Sequence, residues 1–144
     1  MSAETDLDSS RIPQDHPARA VLSSRQGKRR GRILYRLLDE DEHSANIPAW
    51  ESILGTELVG IGEFGDGYQL LFLAGDGRCF SENIVDRDVF YYEADSIAGF
   101  QRMPFVGQRS RPMLRPDQQS VVAYGLTFTR NSHEVYAGSP SANL

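Results

Sequence analysis

The stretch ELVGIGEFGDGYQLLFLAGDGRCFSE, residues 57–82, decides the fold. Three runs within it, ELVGIG (57–62), YQLLFLA (68–74) and RCFSE (78–82), are rich in the aliphatic and aromatic residues that fill strands. Between them stand Asp66-Gly67 and Asp76-Gly77, ten residues apart, each a pair that accepts the positive φ of a tight turn. Strand, tight turn, strand, tight turn, strand is an antiparallel meander. The i, i+2 spacing places Val59, Ile61, Leu71, Leu73, Phe80 and Phe90 on one buried face, joined by Trp50, Ile53 and Leu54 from a preceding helix.

That helix is signalled by Pro48, at home in a first helical turn, and by an apolar face that stops at Gly55. Downstream, Val89 to Tyr92 reads as another short strand. Asp95 or Ser96 can then cap a helix carrying Ile97, Phe100 and Met103 before Pro104. The fold class expected is α+β, an antiparallel or mixed β-sheet flanked by short helices.

Further out the signals change. Residues 1–32 run through Ser, Asp, Pro and Arg with few apolar side chains, too little surface to offset the entropy of ordering, and read as a disordered basic arm. Ile33, Leu34, Leu37 and Leu38 recur at a spacing that suggests a short amphipathic helix, ended by the acidic run Asp39 to Glu42. The α+β domain is assigned to residues 33–104. Residues 105–144 read as an irregular segment followed by a C-terminal β-hairpin, with one strand over 121–129 and a second over 134–137. An isolated hairpin is marginal, so this one is expected to dock.

The 144 residues suit one domain with tails. One cysteine, Cys79, leaves no internal disulfide and no Cys-rich zinc cluster. No run approaches the roughly 18 apolar residues a membrane helix needs. The first thirty residues carry acids and prolines where a signal peptide has an apolar stretch. These observations lead to the expectation of a cytoplasmic protein with no membrane contact, a monomer when free.

The net charge of -5 conceals a block pattern. Residues 1–38 hold 4 acids and 8 bases, residues 39–95 hold 14 acids and 2 bases, and residues 96–144 hold 2 acids and 5 bases. The central block repels nucleic acid and attracts a basic protein surface. Arg25, Lys28, Arg29, Arg30 and Arg32 form a basic cluster, yet no aromatic side chain is interleaved for stacking on bases and the neighbouring block is acidic, so a solvated tail or an intramolecular partner for the acids is preferred to a nucleic-acid site.

Catalytic and metal constellations are mostly lacking. His16, His43 and His133 fall in an arm, an acidic loop and a turn without metal-ligand spacing. Cys79 in a strand reads as a small buried hydrophobe. The Gly-Asp-Gly triplets lack the alternating carboxylates of calcium loops. The glycines at 60, 62, 65 and 67 lack the Gly-Lys-Ser/Thr and following helix of a phosphate loop. No cofactor and no metal is assigned.

The run AWESILGTELVGIGEFGDGYQLLFLAGDGRCFSENIVDRDVFYYEADSIAGFQ, residues 49–101, resembles the SUKH superfamily, most of all its third group of bacterial immunity proteins. The resemblance is carried by Leu54-Gly55 closing the helix, Ile61-Gly62-Glu63 closing a strand, Asp76-Gly77-Arg78 with Phe80 two positions on, and Asp95-Ser96 opening the last helix. It covers about a third of the chain. The helical part that such proteins carry ahead of the sheet is not legible before Trp50. The resemblance implies an α+β sheet flanked by helices and a non-enzymatic, cytoplasmic antidote that binds and neutralises a polymorphic toxin domain of the nuclease or deaminase type. A binding or regulatory module of the same superfamily without a toxin, and a small enzyme, are the alternatives. Taken with the acidic block, the partner expected is a basic toxin domain. The candidate partner-binding residues are Glu63, Asp66, Asp86, Asp88 and Glu93, at or next to strand ends and loops.

Overall fold

The computed structural model describes residues 12–87, 89–102, 111–133 and 135–136. Seven strands form one antiparallel sheet in strict chain order: β1 (Arg29–Arg30), β2 (Ile33–Tyr35), β3 (Leu58–Phe64), β4 (Gln69–Ala74), β5 (Cys79–Asn83), β6 (Phe90–Ala94) and β7 (Arg111–Met113). Helices α1 (Ala18–Arg25), α2 (Ile47–Leu54) and α3 (Ile97–Arg102) flank it, and β8 (Ser120–Ala123) pairs with β9 (Leu126–Thr129) as a separate hairpin.

The meander over residues 57–94 follows the reading of the sequence. Asp66 and Gly67 take φ of 57° and 86° in the β3–β4 turn, and Gly77 takes 95° in the β4–β5 turn. Helix α2 has its proline in the first turn and ends on Gly55 at φ 72°.

The core lies on both faces of the sheet rather than one. Directly opposed residues on paired strands point the same way. Leu71 opposes Ser81, and Ser81 opposes Tyr91, so these three share a face with Val59, Ile61, Leu73 and Cys79, which pack under α1 and α3. Phe72 opposes Phe80, and with Leu70, Phe90 and Met113 they fill the other face under Trp50 and Leu54 of α2. Phe80 and Phe90 therefore belong to the opposite face from Leu71, a correction to the single face inferred from spacing. Strand β4 reads as an almost unbroken apolar run because both of its faces are covered.

Three boundaries also differ from expectation. The arm assigned to 1–32 is built into the fold from residue 12: Ile12, Ala18 and Leu22 are buried against the sheet. His16 fixes this segment, its Nδ1 accepting from Ala18 N–H at 3.0 Å and its Nε2 donating to Glu57 O at 3.1 Å. Residues 1–11 lie outside the described residues. Over 33–38 the chain is not a helix: Ile33–Tyr35 is a strand, with Ile33 and Tyr35 buried in alternation, and the backbone beyond runs on beside β3, with Arg36 N–H to Ile61 O and Leu38 N–H to Gly60 O. Glycines 60 and 62 make that approach possible: a Cβ would lie 2.4 Å from Leu38 Cδ1 at the first and 2.5 Å from Leu34 O at the second.

At the other end, β7 completes the main sheet and its Met113 enters the core beneath α2, so the domain does not stop at 104. The run 121–129 is itself a hairpin. Tyr124 and Gly125, at φ 55° and 72°, form a two-residue turn inside what reads as one strand. Val135 and Tyr136 form no strand. Val121, Ala123, Phe128 and Val135 instead pack on Val89, Tyr91 and Leu114, docking the hairpin on the α1/α3 face of the sheet.

Candidate functional site

The β3–β4 turn and the β5–β6 loop come out at the same end of the sheet, because Gln69 opposes both Phe64 and Asn83. Ile84 N–H donates to Tyr68 O at 2.9 Å, tying loop to turn. The β8–β9 hairpin reaches the same end: Tyr124 packs on Tyr91 with ring centroids 5.9 Å apart. Among the described residues, every large apolar side chain that is exposed sits on these three connections. They are Tyr68 (56%), Ile84, Val85 (78%), Val122, Tyr124 and Leu126.

Asn83 shapes the loop. Its Oδ1 accepts from the backbone N–H of Val85 at 2.8 Å and of Asp86 at 3.2 Å, an Asx turn that presents Val85 and Asp86 outward. Between this loop and the hairpin lies an open groove of about 500 Å³ lined by Gln69, Asn83, Asp86, Tyr91, Val122 and Tyr124. A polar ladder runs beneath it across three strands: Asn83 Nδ2 donates to Gln69 Oε1, Gln69 Nε2 donates to Ser81 Oγ at 3.2 Å, and Ser81 Oγ donates to Glu93 Oε2 at 2.6 Å. Burial first, then Tyr124, Asp86 and Glu93, push the Tyr91 hydroxyl up to about 12, so it stays a neutral donor at neutral pH.

The five expected partner-binding residues therefore separate. Asp66 is exposed at the tip of the β3–β4 turn, and Asp86 is exposed on the groove. Glu63 is half-buried on the α2 face, where Arg36 Nε holds it at 2.9 Å while the same guanidinium grips Glu42 through two bonds at 2.8 and 2.6 Å. Glu93 is buried, so it is not a surface residue. Strand alternation turns it inward under α1 and α3, where burial lowers the pKa of the Arg32 guanidinium lying over Phe64 and Phe100 and the Glu93 carboxylate acts against that lowering. Asp88 lies outside the described residues.

Another acid of the central block is also inward. Glu82 is fully buried on the α2 face, accepting from Ser44 Oγ at 2.7 Å and Arg87 Nη1 at 3.0 Å, and burial raises its pKa. Arg87 Nη1 also donates to Glu42 O, so one guanidinium fastens the loop to the acidic segment 39–42. Cys79 is buried, and burial pushes its thiol up to about 12, which leaves it protonated at neutral pH.

The reading from sequence missed the apolar half of this end. Ile84-Val85 inside a polar loop and Gly125 inside an apolar run are the two signals that mark it. No family model, no curated protein and no solved structure matches the chain. Among the described residues no helix is long and apolar enough to cross a membrane.

Proposed function

We propose that this chain is an immunity protein that binds and neutralises a basic toxin domain through the sheet end formed by the β3–β4 turn, the β5–β6 loop and the β8–β9 hairpin. One observation carries the reading: the exposed large apolar side chains gather at that end, with Asp66 and Asp86 exposed beside them. A patch of aromatic and aliphatic residues rimmed by charge is the composition of a protein interface. The acidic rim selects a basic partner and speeds its approach. The resemblance of residues 49–101 to SUKH immunity proteins supplies the class of partner, a nuclease or deaminase toxin domain met in the cytoplasm.

Co-expression with a toxin domain encoded by a neighbouring gene is the direct test, read as survival of the host cell. In the purified pair, association slows steeply as salt rises, and Asp66→Lys with Asp86→Lys slows it about tenfold or more while the melting temperature holds. Binding without protection assigns the chain to the regulatory modules of the superfamily. No binding, or a complex indifferent to the double reversal, overturns the proposal.

A further inference from the structure

The groove beside Asp86 has a more particular chemistry than an acidic patch. Two of its lining residues are aromatic: Tyr124, 45% exposed, lies over the almost fully buried Tyr91, their rings tilted by 49°. One carboxylate, that of Asp86, stands on the same groove, and the backbone beneath it is fixed by Asn83. The hairpin side is fixed too, since Tyr124 occupies a two-residue turn between paired strands. A volume of about 500 Å³ falls in the range that admits a small ligand or an inserted side chain.

Among cationic groups this combination favours guanidinium. Its planar, weakly hydrated face lies against aromatic rings while its edge donates to a carboxylate; an ammonium is compact and strongly hydrated and gains less from such rings.

We propose that the groove between the β5–β6 loop and the β8–β9 hairpin receives an arginine side chain of the protein partner, its guanidinium against Tyr124 and Tyr91 and its N–H groups toward Asp86. The proposal rests on the reading of the chain as a binder of a basic protein domain.

The test is a titration of the whole isotope-labelled chain, followed by amide chemical shifts, with Nα-acetyl-arginine amide and separately with its neutral isostere Nα-acetyl-citrulline amide. The arginine probe shifts the amides of Gln69, Asn83, Tyr91 and Tyr124, and the citrulline probe binds about tenfold more weakly or not at all. Asp86→Asn weakens the arginine response by a similar factor. Tyr124→Asn does so as well and keeps the turn, because Asn-Gly is the pair that two-residue hairpins prefer. Equal responses to the two probes, shifts elsewhere on the chain, or shifts untouched by both substitutions overturn the proposal. The two readings fail separately: an arginine-specific response without any toxin complex leaves the receptor standing and removes the immunity role. A toxin complex with no arginine-specific response does the reverse.

Discussion

Ser81 donates its hydroxyl to Glu93 across β5 and β6 at 2.6 Å, and both side chains are closed off from water. An ionised carboxylate in that position depends on its donors and on Arg32, because burial without them costs far more than one hydrogen bond returns. Ser81→Ala removes this donor to the buried carboxylate, at a cost of about 1–3 kcal/mol. Urea denaturation reads this as a lower midpoint with an unchanged slope. An unchanged midpoint would show that Glu93 does not rely on the serine.

Leu71 and Val122 make a second comparison, between a residue the sheet closes over and one it leaves out. Leu71 is 0% exposed in the middle of the α1/α3 face, whereas Val122 is 57% exposed on the hairpin. Leu71→Ala should destabilise by about 2–5 kcal/mol, and Leu71→Asp by more, since a charge is then buried without a partner. Val122→Ala should stay within about 0.5 kcal/mol. Thermal melts of the variants check both, and a Leu71→Asp protein that melts like the parent overturns the packing described.

Two glutamates give stability opposite dependences on pH. Glu82 is raised above its ordinary value of 4.5 by burial, so the folded state holds its proton more tightly than the unfolded state does. Its contribution is greatest below 4.5 and is lost as pH rises through the folded value. Glu42 is lowered, chiefly by the hydrogen bonds from Arg36, so its contribution is present above 4.5 and is lost as pH falls through its folded value. Glu82→Gln should therefore flatten the decline in stability as pH rises above about 4.5, and Glu42→Gln should flatten the loss on the acid side. Denaturant melts on both sides of about pH 4.5 distinguish them. Parallel profiles for both variants and the parent contradict the assignment.

The central meander was legible because its turns are written in local chemistry: Asp66-Gly67 and Gly77 need positive φ, and the sequence provides for it. Which face each side chain takes was not legible on β4, where both faces are buried and no alternation remains to read. Ile33 to Leu38 misled because its apolar residues fit helical spacing, and the glycines that admit its backbone against β3 lie more than twenty residues away. The first helix was hidden by composition, since α1 buries only Ala18 and Leu22. Acids followed the same rule. Asp66 and Asp86 sit in turns, and their exposure could be read from that, but Glu93 and Glu82 are strand residues whose orientation depends on pairing partners. Tyr124 escaped notice because a tyrosine at positive φ is rare.

The strict chain order of the sheet means that each strand is laid against the one made just before it, through short turns and loops from β3 to β6 and through the longer connections that carry α2 and α3 at either side. Synthesis runs in the same direction, and the strands of the sheet emerge ahead of β8 and β9. The hairpin packs on Val89 and Tyr91, which precede it in the chain. That packing brings Tyr124 over Tyr91, so one wall of the groove is built from residues that leave the ribosome after its floor.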